Sequence, residues 1–145
     1  NFLFETPFAY LRAPRGSFRP VLLAAPCSGT GTLRKNPEIR WRLSQSDLPA
    51  FARVQAALLA AALDLCAPGG SVVYVTCSLE PEENEGVVAA VLAGRHDAAV
   101  ERPEEALLPA PLRAALRPDG IFRVAPGAAN DGFSAVVLRK GIPSR

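Results

Sequence analysis

Residues 21–31 read VLLAAPCSGTG, and the reading of this stretch decides the fold. Val21 to Ala25 is short and apolar, and Pro26-Cys27-Ser28-Gly29-Thr30-Gly31 follows as a glycine-rich loop that opens on a thiol. A continuous apolar run closed by turn residues is the pattern of a strand buried on both faces of a parallel sheet. The loop is not a nucleotide cradle of a known kind. No lysine follows Gly31, as a phosphate-binding loop requires, and the third glycine of the dinucleotide fingerprint is missing. Pro26 stands where a serine nucleophile elbow needs glycine.

Outward from the loop, Phe51, Val54, Leu58, Ala62 and Leu65 recur at helical spacing and predict a helix over 48–65. Asp47 is its expected N-cap, Pro49 lies in its first turn, and Pro68-Gly69-Gly70 stops it. The segment DLCAPGG (Asp64 to Gly70) imitates a cofactor loop. A helix precedes it and a strand follows, the reverse of what such a loop needs, so it reads as a helix stop. Val72 to Val75 is a second apolar strand, ending at Thr76-Cys77-Ser78. A further helix is expected from Pro81 to about Gly94, with Glu82, Glu83 and Glu85 near its positive end. Residues 95–119 carry little periodicity beyond a short strand near 98–101. Ile121 to Val124 and Phe133 to Arg139 are two more strands, flanking a loop from Gly127 to Gly132. A β-α-β start followed by an antiparallel pair predicts an α/β sheet with a mixed edge.

The 145 residues, 49% of them apolar, suffice for one domain with its own core. No uninterrupted apolar run reaches the roughly 18 residues of a membrane span, and nothing at the N-terminus resembles a signal peptide. Cys27, Cys66 and Cys77 form no C-x-x-C pair and His96 is the only histidine, which argues against a metal site or a disulfide framework. A reducing, cytoplasmic setting follows as the expectation. Charge is uneven: residues 1–45 carry a net +5 and the remainder −3. Trp41 sits among the bases of that first part, a footprint suited to nucleic acid as well as to a solvated face.

PCSGTGTLRKNPEIRWR (26–42), Gln55, PGGSVVYVTCSLEPEENE (68–85) and DGF (131–133) occur in this order. In that order they resemble the RNA 5-methylcytosine methyltransferases of the Sun/NOL1/NOP2 group, most closely the bacterial 16S rRNA cytosine methyltransferases. The resemblance implies a Rossmann-like class I methyltransferase fold, here its C-terminal half with a mixed sheet and an antiparallel final strand pair. It assigns residues 18–145 to that half and leaves 1–17 unassigned. It also implies S-adenosylmethionine as methyl donor and RNA, in particular rRNA, as substrate. Cys77 is then the nucleophile that adds to cytosine C6, and Cys27 the second cysteine, which assists product release. Arg34, Lys35, Arg40 and Arg42 are the implied phosphate contacts, with Trp41 stacking on a base or packing. Cys66 is read as a small core hydrophobe.

Three positions depart from the family pattern. Ala24 stands where the family has the Asp that helps hold cofactor and target base. Gly127 follows Pro126 in place of a histidine, and Ser134 replaces a phenylalanine after Asp-Gly-Phe. The family's cofactor-binding strands are expected before residue 18, in more chain than 17 residues supply. The strand at 21–25 is then expected to be an open sheet edge, covered by Phe2 to Phe8, by a second copy of the chain or by a further N-terminal portion. The rival expectation is a non-catalytic remnant that binds RNA or a protein.

Overall fold

The computed structural model describes residues 14–141. Five strands form one mixed sheet: β1 (Val21–Ala24), β2 (Ser71–Thr76), β3 (Ala98–Val100), β4 (Ile121–Val124) and β5 (Phe133–Lys140). β1 runs parallel to β2. β5 lies antiparallel to β2 on one side and to both β3 and β4 on the other. The helices are α1 (Ile39–Arg42), α2 (Leu48–Leu65), α3 (Glu85–Ala93) and α4 (Ala110–Ala115). The β-α-β start and mixed edge read from the sequence are both present. Residues 95–119, nearly featureless as sequence, hold β3, one 3-10 turn (Glu105–Leu107) and α4.

The sheet's two faces differ. Val72, Tyr74, Val136 and Leu138 point to the side on which Leu59 and Leu63 of α2 and Val87, Val88 and Val91 of α3 close the core. Cys66 is fully buried in the same cluster, as read. By length and composition alone α2 is apolar enough to cross a membrane. Its inward residues Leu48, Gln55, Leu59, Ala62 and Leu63 are buried within this chain, which makes it a core helix. On the opposite face Val73, Phe122, Val124, Phe133, Ala135, Val137 and Leu112 line an apolar groove of about 300 Å³.

Two local readings need correction. β1 is not buried on both faces: its residues alternate between half-buried and exposed, and Leu22 is 70% exposed. Among the described residues β1 pairs only with β2, so its outer edge and its groove-side face are open. The segment from Phe2 to Phe8 lies outside the described residues. Asp47 does not cap α2 through its side chain. Its carboxylate accepts from the Ser44 amide (2.8 Å) and hydroxyl (3.0 Å), closing a capping box on the preceding 3-10 turn. Those bonds hold the Asp47 carboxyl below the usual carboxylate range.

Candidate functional site: two cysteine loops on one carboxylate

β1 and β2 are parallel neighbours, so the loops leaving their C-terminal ends emerge side by side. Open α/β sheets place ligands at such ends. Register sets Ala24 against Val75, and the Ala25 amide donates to the Val75 carbonyl (2.9 Å). Two residues further on, Cys27 and Cys77 meet with Sγ atoms 3.0 Å apart.

The glycines of the first loop explain its shape. Gly29 holds φ +76°, a conformation other residues rarely adopt. At Gly31 a Cβ would lie 2.3 Å from the Gly132 carbonyl oxygen and 2.8 Å from that of Cys77. The Gly31 amide donates to the Cys77 carbonyl (2.9 Å), and the Gly132 amide donates to the Gly31 carbonyl (2.7 Å). Three backbone segments therefore converge on a residue with no side chain. The glycine-rich loop is a packing junction that brings the two thiols together.

Hydrogen bonding makes the thiols unequal, since only one of a bonded pair donates. The bond from Cys27 lowers Cys77 from the ordinary 9.0 to about 7, against the opposing pull of burial and of the Glu83 and Asp131 charges. Cys27, holding the proton toward Cys77 and more deeply enclosed, is pushed up. A thiol half ionised near neutral pH is a competent nucleophile.

Beneath the sulfurs lies Glu83, from the 3-10 turn Pro81–Glu83, fully buried. It does not serve the helix terminus as the sequence suggested. Its Oε1 accepts from the Ser28 amide (2.9 Å) and from Gln55 Nε2 (2.8 Å). Its Oε2 accepts from the hydroxyls of Ser28 and Ser78. The Tyr74 hydroxyl donates to the Glu83 carbonyl (2.7 Å), and its burial beside Glu83 pushes the phenol up. Gln55 Nε2 also donates to the Pro26 carbonyl (2.9 Å), while its Oε1 has no partner among the described residues. Ser134, where the family pattern has phenylalanine, donates to the Ser78 carbonyl (3.0 Å).

The remaining sequence candidates separate into two groups. Lys35 Nζ lies 2.6 Å and Arg34 Nη2 3.4 Å from the carboxylate of Asp131, whose pKa these cations lower, Lys35 most. Arg34 and Lys35 are thus engaged within the chain. Arg40, Trp41 and Arg42 stand on α1, and against the described residues Trp41 is 80% exposed. Ala24 is exposed at the open edge and presents a methyl group. Between α1 and the start of α2, Ile39, Arg42, Leu43, Asp47 and Phe51 line a cavity of about 490 Å³ that reaches Cys27 and Ser28. Among the described residues no cluster of His, Cys, Asp or Glu is arranged to hold a metal.

Comparison with known proteins gives a consistent picture. The family model described as 16S rRNA methyltransferase RsmB/F matches residues 10–139. The ribosomal RNA small subunit methyltransferase B of Thermus thermophilus is 45% identical over 122 residues, 84% of this chain and 29% of that protein. The protein of the same name from Sodalis glossinidius is 41% identical over 92 residues, 63% of this chain and 21% of that protein. Among solved structures, PH0851 superposes with a TM-score of 0.74 at 33% identity, over 89% of this chain and 29% of that one. NSun6 from Pyrococcus horikoshii with SFG gives 0.63 at 30%, over 82% and 29%. The sheet is thus of the Rossmann-like methyltransferase kind. The chain spans roughly a fifth to three tenths of the length of these relatives.

Proposed function

The chain belongs to the 16S rRNA methyltransferase RsmB/F family, and from that premise we propose that it carries the nucleophilic half of an RNA cytosine-C5 methyltransferase site. The observation that carries the reading is the 3.0 Å pairing of Cys27 with a Cys77 whose pKa is lowered to about 7. The Cys77 thiolate adds to C6 of the target cytosine, forming an S–C6 bond and pushing the ring π electrons toward C5, which becomes enamine-like. Carbon 5 is thereby converted from a poor nucleophile into a good one. Cys27 keeps its proton while Cys77 is ionised; as the S–C6 bond breaks it gives that proton to the departing Cys77 sulfur and takes up the C5 proton in its place.

RNA, and rRNA in particular, is the substrate class that the names of the relatives favour. Arg40, Trp41 and Arg42 offer two cations and an exposed ring beside the cavity that reaches Cys27, a combination suited to a single strand of RNA. S-adenosylmethionine is the methyl donor this reading requires, and SFG, an analogue of it, accompanies the NSun6 neighbour. The residues at the end of β1 do not fit that group: Ala24 and Ala25 supply no carboxylate for it. Cytoplasmic residence belongs to the same proposal.

The test is covalent trapping on an rRNA fragment containing 5-azacytidine, with S-adenosylmethionine supplied. The protein is expected to form an adduct that survives denaturing electrophoresis. Cys77→Ala abolishes it and Cys27→Ala retains it. An adduct that persists in Cys77→Ala removes the assignment.

A further inference from the structure

We propose that Glu83 is the positioning residue of this site, a single buried carboxylate that clamps the residues following both cysteines and so sets the sulfur–sulfur contact. The proposal deepens the reading above and rests on Cys77 being the attacking thiol.

The argument begins with hydrogen-bond capacity. Four donors converge on two oxygens: the Ser28 amide and Gln55 Nε2 on Oε1, the hydroxyls of Ser28 and Ser78 on Oε2. Four is the acceptor capacity of a carboxylate, and no other side chain offers it. A glutamine would turn an N–H₂ toward two donors and leave them unpaired in the interior, where an unmade hydrogen bond is costly. The arrangement is also symmetric about the chemistry. Ser28 directly follows Cys27, Ser78 directly follows Cys77, and Gln55 ties Pro26, the residue before Cys27, to the same carboxylate. Glu83 itself is fixed through its carbonyl by Tyr74 of β2. The two loops thus hang from one rigid point, with each sulfur one residue away.

The predicted consequence is measurable without RNA or methyl donor. The charged and titratable groups facing the Cys77 sulfur are Cys27 from the loop after β1, Glu83 from the 3-10 turn and Asp131 from the loop before β5, the last engaged by Lys35 and Arg34. Glu83 acts on Cys77 in two opposed ways. Its negative charge raises the thiol's pKa, whereas its clamp holds Cys27 in place to lower it, and the Cys27 bond is the larger influence. Removing the charge alone would therefore move Cys77 downward, and loosening the clamp moves it upward.

The experiment is the pH dependence of Cys77 alkylation by iodoacetamide, followed site by site by mass spectrometry. Wild type is expected to show a midpoint near 7. In Glu83→Gln the midpoint is expected to rise toward the ordinary thiol value of 9.0. A midpoint that falls or stays would show that Glu83 acts as a charge or only as core filling, and would overturn the proposal. Should Glu83→Gln fail to fold by far-UV circular dichroism, the Ser28→Ala, Ser78→Ala double variant keeps the carboxylate and removes two of its donors. It is expected to shift in the same direction by a smaller step, and an unmoved midpoint there overturns the proposal equally. The trapping experiment stands apart: an adduct that persists in Cys77→Ala removes the nucleophile assignment, and with it the clamp's part in the reaction, even where the Glu83→Gln midpoint moves upward.

Discussion

The loop after β1 and the loop after β2 carry the same two-residue motif, Cys-Ser, at equivalent ends of parallel neighbouring strands, yet they are held in different ways. The first (Pro26–Gly31) is braced locally only at Gly29, whose carbonyl accepts from the Thr32 amide and hydroxyl, and is otherwise held from outside. Its Pro26 carbonyl is tied by Gln55 of α2, its Ser28 by Glu83, and its Gly31 by the backbone of Cys77 and Gly132. The second loop contains its own scaffold: Glu80, Glu83 and Asn84 lie within a few residues of Cys77 and bond back to Ser78. Asn84 also accepts from the Thr76 hydroxyl (2.8 Å) at the end of β2. A self-braced loop suits a group that must hold its place while charged. A loop held from outside suits a proton donor whose position is set by its partner. The opposite pKa directions of the two thiols come first from the hydrogen bond between them, which the two loops bring together.

Breaking the junction between the loops is expected to have the largest effect. Gly31→Ala puts a Cβ 2.3 Å from a backbone oxygen, and no flexible side chain is there to yield. A loss of about 3 kcal/mol, read as a melting point lower by roughly 10 °C in thermal denaturation, is expected. The inequality of the thiols is next. At pH 7 iodoacetamide should modify Cys77 at least about tenfold faster than Cys27, because thiolate fraction outweighs the lower intrinsic reactivity of a more acidic thiol. Equal rates would erase the distinction between the loops. Removing the donor sharpens it: Cys27→Ala should raise the midpoint for Cys77 from about 7 toward 9.0 and slow its alkylation at pH 7 several-fold.

The smallest expected effect concerns the third segment at the junction. Asp131 gains its partners Lys35 and Arg34 on folding and its carboxyl is lowered from 3.8, so the associated stability is present above 3.8 and lost as pH falls through the folded value. Both cations are about half exposed, so solvent screening keeps the contribution small. Thermal melts should therefore place Asp131→Asn below wild type by a few degrees at pH 7. The gap should close as the solution is acidified below 3.8.

Much of the framework was legible in the sequence because it rests on local pattern. The apolar runs at 21–25 and 72–75, the helical spacing over 48–65 and the glycine stop at 68–70 each announce themselves without reference to distant residues. The pairing of Cys27 with Cys77 was legible only through the family resemblance, since fifty residues separate them. Glu83 escaped because a carboxylate in EPEENE looks like one of several acids dressing a helix start. Its neighbours Glu82, exposed, and Glu85, bonded to Arg123 of β4, behave more nearly in that way. The available signal was the recurrence of serine after both cysteines, two identical donors asking for one acceptor. The engagement of Arg34 and Lys35 by Asp131 was equally hidden, being a contact across nearly a hundred residues. β1 departed from the reading of a strand buried on both faces, though not from that of an open edge, because burial belongs to the neighbours a strand has and its apolar letters say nothing of which are present.

The position of β5 carries a consequence for how the chain comes to be folded. This strand is the last of the five in sequence, yet it lies between β2 on one side and β3 and β4 on the other. During synthesis β1 and β2 can pair as soon as α2 has formed between them, but β3 and β4 have no sheet to join until residues 133–140 leave the ribosome. The sheet therefore closes in one late step, through long-range contacts of the kind that slow folding. Ser134 and Gly132, which brace the two thiol loops, arrive with that same strand. A nascent chain stalled before residue 132 would hold both cysteines and the donors of the Glu83 carboxylate, but lack the braces from Gly132 and Ser134.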